Sequence, residues 1–350
     1  MKKFTKVLAL VLAMSMMLAL AACGGAPASS AAPAASSAAP ASSAAPAPEA
    51  APAAAKEVKV GVAIYKFDDN FMTLYRTELE KYLTSMNSDA VKYNVTITDG
   101  KGDQAEQTNQ IDTFIANKVD VIICNLVQSS SAATVIEKCK AASIPVVFIN
   151  REPTKEDMQL WDKIAYVGAD ARQSGTFQGE IIAATPNKGD MNGDGIVSYV
   201  MLVGDPENVD AQYRTEFSIK ALTDAGIKVE KLFEQRGDWD TAKGQELTNT
   251  ALTQFGPKVD VVFANNDGMA LGAAQAIASN GRTVGKDIYL VGVDALEECQ
   301  QMVEAGTMTG TVLNDHIGQS HTAVDVALKA IAGEALEKNY TVDYVKVVKK

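Results

Sequence analysis

The sequence predicts an α/β protein built from two doubly wound, parallel-sheet lobes. Short apolar, β-branched runs alternate with helix-like stretches, the pattern of right-handed βαβ units whose parallel sheet is covered on both faces. The series runs to Asn150 and then starts afresh. The chain length, 350 residues, suits about two domains.

Residues 1–22 read as an address. Lys2, Lys3 and Lys6 precede an apolar run from Val7 to Leu20. That run falls short of the roughly 20 apolar residues a stable membrane span needs, so it is expected to be a signal peptide. Leu20-Ala21-Ala22-Cys23 resembles a bacterial lipobox, which implies cleavage before Cys23 and lipidation of Cys23. Residues 24–55 are almost entirely Ala, Pro and Ser. With no bulky apolar side chain they cannot offset the entropy of ordering. Residues 23–57 are therefore expected to tether a folded body to the outer face of the bacterial cell membrane.

The body begins with Val58–Ile64, a near-continuous apolar strand, followed by a helix over Asp69–Met86. A second strand is expected at Tyr93–Ile97 with a helix at Gln104–Asn117. A third lies at Val119–Cys124 with a helix at Ser130–Ala142, and a fourth at Pro145–Ile149. In the second half, strands are expected at Ser198–Val203, Val229–Glu234, Val259–Ala264, Ile288–Val293 and Thr309–Leu313. Helices fall between them at Asp210–Asp224, Thr241–Thr253, Gly268–Ser279 and Leu296–Glu304. A last helix at Gln319–Ile331 and a last strand at Val342–Val348 close the series.

Composition narrows the function. A net charge of −11 argues against nucleic acid and anionic membrane surfaces as partners. Two His, His316 and His321, leave little for zinc or for imidazole acid–base chemistry. Past Cys23 three Cys remain, Cys124, Cys139 and Cys299, an odd set expected to be buried free thiols.

In doubly wound sheets ligands sit outside the carboxyl ends of the strands. The residues just past those ends share one chemistry. Asp69, Phe71 and Asn125 follow strands of the first lobe; Asn208, Asp210, Arg214, Trp239, Asn266, Asp267, Asp294 and Asn314 follow strands of the second. Each hydroxyl of a sugar donates once and accepts twice, so Asp, Asn and Arg together can satisfy it. Flat aromatic faces cover the apolar C–H faces of a pyranose. Helix N-capping accounts for any one of these Asp or Asn residues alone, but not for Phe71 and Trp239.

Five segments carry a resemblance to a known family: Tyr65-Lys-Phe-Asp-Asp-Asn-Phe-Met72, Val135-Ile-Glu-Lys138, Ala264-Asn-Asn-Asp267, Gly292-Val-Asp-Ala295 and Gly310-Thr-Val-Leu-Asn-Asp315. From about Val58 onward the chain closely resembles the periplasmic galactose/glucose-binding family, type I substrate-binding proteins of ABC sugar importers. The resemblance implies two lobes joined by a three-crossover hinge and closing on one sugar. It implies a first lobe of 58–150 plus about 316–338, and a second of 151–315 plus about 339–350. It places the sugar contacts on Asp69, Phe71, Asn125, Asp210, Arg214, Trp239, Asn266, Asp294 and Asn314. At Asn208 the family has His. The implied partners are D-galactose or D-glucose, an ABC importer permease and a chemoreceptor, with the protein acting as a monomer.

Asp190-Met-Asn-Gly-Asp-Gly-Ile-Val-Ser198 fits the start of an EF-hand calcium loop, with oxygen ligands expected from Asp190, Asn192, Asp194, the Ile196 carbonyl and Ser198. Position 12 of the loop should be Glu and is Met201. The resembled family supplies that Glu from a distant strand, at the place of Asp260 here. A structural Ca²⁺ is therefore expected, with a side chain one methylene short; the alternative is an Asx-rich turn that holds no metal.

Two other classes share parts of this pattern. A glycoside hydrolase would use two carboxylates, for which Asp69 and Asp294 could serve, but the surrounding Asn, Arg and aromatic groups suit a free sugar held without chemistry. A sugar-responsive transcription regulator would need an N-terminal helix-turn-helix, and none precedes Val58.

Overall fold

The computed structural model describes residues 55–350. The signal peptide, the lipidation site Cys23 and most of the tether lie outside them. The first half alternates β1 (Lys56–Ile64), α1 (Asn70–Ser85), β2 (Val91–Asp99), α2 (Gln104–Ala116), β3 (Val121–Cys124), α3 (Ala132–Ala142), β4 (Val146–Ile149) and β5 (Ile164–Gly168). The second half alternates α4 (Ala171–Ala183), β6 (Val197–Val203), α5 (Val209–Asp224), β7 (Val229–Arg236), α6 (Thr241–Phe255), β8 (Val261–Ala264), α7 (Asp267–Ser279), β9 (Tyr289–Val291), α8 (Glu297–Ala305) and β10 (Gly310–Leu313). The chain finishes with α9 (His316–Ala332), β11 (Asn339–Thr341) and β12 (Val345–Val348).

The two sheets are built alike. Their orders are β11-β5-β4-β3-β1-β2 and β12-β10-β9-β8-β6-β7. Every pairing is parallel except that of β12 with β10. The central strands are buried along their whole length, because helices cover both faces of each sheet. Strand alternation divides the apolar side chains between the faces. Val60, Val62 and Ile64 of β1 pack with Tyr75, Leu79 and Leu83 of α1 and Ala323 and Val324 of α9. Ala63 turns the other way, toward Ile111 and Phe114 of α2 and Val135 and Ile136 of α3. In each sheet the chain leaves the first strand toward one edge and returns to the other side of it, between β1 and β3 and between β6 and β8. These are switch points, where a doubly wound sheet opens a crevice at its carboxyl ends.

The structure moves the lobe boundaries expected from sequence. β5 pairs with β4 in the first sheet, through Val146–Ile164 and Ile149–Val167, so the first lobe runs to Gly168 rather than to Asn150. The expected last strand over Val342–Val348 is two strands in two sheets. β11 pairs with β5 and β12 with β10, with the chain passing between lobes at 342–344. Residues 339–341 therefore belong to the first lobe. The three passages lie at 169–170, 314–315 and 342–344.

Helix α4 was missed for a reason of composition. ARQSGTFQGEIIA holds two Gly, poor helix formers that interrupt an otherwise helix-favouring stretch. Packing explains the glycines. A Cβ on Gly179 would stand 2.3 Å from the Ser218 carbonyl oxygen, and one on Gly175 2.9 Å from that of Arg214. The two Gly let α4 lie close against α5, the helix that carries Asp210 and Arg214.

Candidate functional site

At the facing carboxyl ends of the two sheets both lobes line one cavity. The first lobe lines it with Tyr65, Asp69, Phe71, Met72, Asn150 and Arg151; the second with Asn208, Asp210, Arg214, Trp239, Asn266, Asp294 and Asn314. Nine of the eleven residues singled out from sequence thus meet in one cavity. Asn125 lies beneath the wall. Its Oδ1 accepts the Tyr65 N–H at 3.3 Å, and its Nδ2 donates to the Ile149 carbonyl and to Asn150 Oδ1 at 3.2 and 3.1 Å. It ties the ends of β1, β3 and β4 together and orients Asn150, so its amide is taken up by the protein. This corrects its expected place among the direct contacts.

Several of the polar residues are caps and cavity groups at once. Asp69 caps α1 through Met72 N at 2.7 Å and accepts the Tyr65 hydroxyl at 2.6 Å. Asn208 caps α5 through Asp210 N, and Asn266 caps α7 through Met269 N, at 3.1 and 3.0 Å. Capping turns the side chain back over the helix start, which in this fold is where the cavity lies. The capping explanation and the binding explanation therefore describe the same side chains.

The aromatic walls are also held by their surroundings. Phe71 meets Tyr75 edge-on at 6.0 Å. Trp239 sits at φ 65° just after β7, with its carbonyl accepting Asn266 Nδ2 at 3.2 Å. Its indole lies over Gly204, where a Cβ would stand 2.2 Å from the ring.

Arg214 is the electrostatic centre. It is 4% exposed, donates to the Asn265 carbonyl at 2.8 Å and to the Tyr344 hydroxyl at 3.1 Å, and stands 3.9 Å from Asp210 and 4.0 Å from Asp294. Burial works against its charge, but Tyr344, Asp294 and Asp210 together hold it protonated. Burial pushes the Asp210 carboxyl from the ordinary 3.8 up to about 6, with Arg214 opposing the shift. Asp294 is pushed up for the same reason. Its Oδ1 accepts Asn314 Nδ2 at 3.3 Å, while Asn314 Oδ1 accepts Gln319 Nε2 at 2.6 Å.

Sequence reasoning missed Tyr65, Met72, Asn150 and Arg151. The rule that found the others reaches Asn150 and Arg151, which follow β4 directly. Arg151 is 1% exposed, stacks 3.9 Å above the Tyr65 ring and donates to the Val127 carbonyl. Its Nη1 also pairs across the cleft with Asp205 of the second lobe at 3.0 Å. Its Nε and Nη2 have no partner among the described residues. Asp267, also singled out after β8, lies under the cavity floor rather than on it, bonded to Thr311 and Leu296.

The 190–198 loop precedes β6, at the opposite ends of the strands from the cavity. Asp190 accepts the N–H groups of Gly193 and Gly195, Asn192 that of Asp194, and Asp194 that of Ile196. The Asp260 carboxylate accepts Met191 and Asn192 N–H at 3.0 Å and Ser198 N–H at 2.8 Å. The oxygen-only donors suit a hard cation. Their arrangement fits one less well. Among the described residues no three His, Cys, Asp or Glu side chains gather at metal-holding spacing, and both Asp260 oxygens are already engaged by the loop backbone.

The raised carboxyl of Asp210 makes a pH prediction. Between about 4 and 6 the folded state keeps a proton that the unfolded chain has released, so stability falls as pH rises through that window. Asp267 is pushed up to about 6 in the same way and acts in the same direction. In the sugar-free protein Asp210→Asn should remove its own share of that fall, up to about 3 kcal/mol. Urea unfolding at pH 4, 5, 6 and 7 measures it; a variant whose profile matches wild type would show that Asp210 does not carry it.

A family model for periplasmic binding protein domains matches residues 60–335. The D-galactose/methyl-galactoside binding periplasmic protein of Haemophilus influenzae is 36% identical over 286 residues, 80% of this chain and 84% of that one. The ribose import binding protein of Salmonella typhimurium is 28% identical over 265 residues, 75% of this chain and 83% of its own. Among solved structures, an ABC transporter solute binding protein from Bacillus halodurans with bound myo-inositol matches with a TM-score of 0.72 at 26% identity, over 84% of this chain and 95% of that one. A galactofuranose binding protein matches in fold with a TM-score of 0.75 at 22% identity, over 83% of this chain and 94% of that one. The chain therefore belongs to the periplasmic binding protein family, as a sugar-binding component of an ABC transporter that works outside the cytoplasm and is not an enzyme.

Proposed function

We propose that the cavity binds one D-hexopyranose, galactose or glucose, and that the protein delivers it to an ABC importer permease. The observation that carries this reading is the pairing of Phe71 from one lobe and Trp239 from the other, with Asp69, Asp210, Arg214, Asp294, Asn266 and Asn314 between them. The similarity to the Haemophilus influenzae galactoside-binding protein supports the hexopyranose. A second reading, a different monosaccharide such as ribose or xylose, draws on Asn208 where the galactose family has His and on the similarity to a ribose import binding protein. Because each lobe supplies about half the lining, ligand favours the closed arrangement and shifts the population toward it.

Calorimetric titration with D-galactose, D-glucose, D-ribose, D-xylose and myo-inositol decides between them. The expected result is one site per chain with galactose or glucose tightest. Trp239→Ala should weaken binding by about 1–2 kcal/mol through lost ring contact, and Asp294→Ala by about 2–4 kcal/mol through unpaired buried hydroxyls. Tightest binding of ribose or xylose would favour the second reading; variants that bind like wild type would show that the cavity is not the site.

The reading extends to Cys23 as a lipidated anchor, on the strength of the Leu20–Cys23 motif and the Ala/Pro/Ser stretch after it. The lipid would be attached to a body of net negative charge, so no polybasic patch can substitute for it. Expressed in a bacterium with the cognate machinery, Cys23→Ser should move from washed membranes to the soluble extracytoplasmic fraction; processed protein still in the membranes would contradict the anchor.

The loop completes the reading as a weak structural Ca²⁺ site, held by Asp190, Asn192, Asp194, the Ile196 carbonyl, Ser198 and Asp260, with water in the places the shortened Asp260 does not reach. Support comes from the oxygen-only donor set and from the run of side-chain-to-backbone turns that shapes the loop. An ion bound only by the folded state at a hundredfold excess over its dissociation constant adds about 2.7 kcal/mol. EDTA should therefore lower the melting temperature, Ca²⁺ restore it, and Asp194→Ala abolish the response. A melting curve indifferent to both would mean that Asp260 and the loop backbone satisfy each other without metal.

A further inference from the structure

Asp294 stands at φ 124° and the next residue, Ala295, at φ 53°. Two consecutive non-glycine residues in this region are unfavourable by themselves and persist only where the surroundings over-determine them. The residue that spans the pair is Asp267, at the start of α7. Its backbone N–H donates to the Val293 carbonyl at 2.6 Å, on the near side of the strained pair. Its Oδ2 accepts the Leu296 N–H at 2.9 Å, on the far side. Its Oδ1 accepts the Thr311 hydroxyl at 2.7 Å, and that hydroxyl accepts the Ala295 N–H at 3.3 Å. One residue thus fixes the backbone around Asp294, with its own N–H on the near side and its carboxylate on the far side and, through Thr311, in the middle.

The carboxylate is fully buried and does not line the cavity. A solvated acid at a helix start would complement the helix dipole without such an enclosure. Room for it is made by Gly292, where a Cβ would stand 2.2 Å from Asp267 Oδ1. Asp294 in turn is a cavity group, 5% exposed, facing Arg214 and Asn314.

We infer that Asp267 is a positioning residue for ligand binding: with Thr311 it holds the strained Asp294–Ala295 turn in the conformation that aims the Asp294 carboxylate into the cavity. This rests on the reading of the cavity as a sugar site. Asp267 is proposed to act through Asp294, so its loss should matter only while the Asp294 carboxylate is present.

The test is a double-mutant cycle read by D-galactose calorimetry, with Asp267→Asn, Thr311→Val and Asp294→Asn alone and each brace variant combined with Asp294→Asn. Each brace variant alone should weaken galactose binding roughly tenfold or more, while in the Asp294→Asn background the added loss should be no more than about threefold, the non-additivity of residues that act as a unit. A merely structural role would leave galactose affinity unchanged in the folded variants or give losses that multiply, and either result overturns the inference. Thr311→Val carries the test if Asp267→Asn fails to fold. Hydrogen exchange of the 293–297 backbone without sugar separates the two readings. It should quicken in both brace variants, and unchanged exchange overturns the brace whatever the sugar does. Wild-type protein that binds no galactose, with exchange quickened as expected, would overturn the galactose reading of the cavity and leave the backbone brace standing.

Discussion

Placing aspartates at the ends of parallel strands and then closing a second lobe over them removes charge from water, and in this protein the compensation gathers at Arg214. An unpaired buried carboxylate is strongly unfavourable. Arg214 answers two of them at about 4 Å and anchors its own N–H groups on the Asn265 carbonyl and the Tyr344 hydroxyl. At these distances neither acid is hydrogen-bonded to the guanidinium, so each carboxylate keeps acceptor capacity to offer. Compensation is therefore sufficient to keep the cavity folded and insufficient to satisfy it. Asp210 and Asp294 hold protons more tightly than usual, and Arg151 keeps two nitrogens without a partner among the described residues. Under the proposed reading, a polyhydroxylated ring supplies the missing donors and acceptors.

The same group connects binding to the passages between lobes. Tyr344 lies in the 342–344 crossing, and its N–H donates to Gln173 of α4 at 2.7 Å. Asn314 lies in the 314–315 crossing and is held by Gln319 of α9, whose carbonyl accepts the Tyr75 hydroxyl of the first lobe at 3.1 Å. Two of the three passages thus place a residue against a side chain that faces the cavity. Hinge motions in two-lobed proteins are absorbed at a few such positions. Here those positions are hydrogen-bonded to groups that line the cavity.

Much of this was legible in the sequence because strand, turn and helix start follow a strict order in doubly wound lobes. β1, β3, β4, β6 and β8 announce themselves as apolar β-branched runs, and the polar residue after each falls near the cavity. The rule fails where a position after a strand points down instead of out, as at Asn125, and where a second residue after the strand reaches inward, as at Arg151. β5 was hidden by its place beyond the apparent end of the first series, although Ile164–Gly168 is as apolar and as buried as its neighbours. The split of the C-terminal strand is invisible to periodicity, because only pairing partners distinguish β11 from β12. Asp267 and Asp294 looked alike as residues beyond strand ends. The backbone conformation that makes one of them a ligand-facing group and the other its support has no signature in residue type.

The cysteines of the folded body bear on how this molecule can be watched. Cys124, Cys139 and Cys299 are buried and unpaired. Burial raises all three thiols, Cys139 to about 12 and the other two further, so almost no thiolate exists at neutral pH. A thiol-directed dye finds no reactive partner among them. A single cysteine introduced at the cavity rim would be labelled alone, and the body from Lys56 onward becomes a scaffold in which fluorescence tests whether the cleft opens and closes without altering any native thiol.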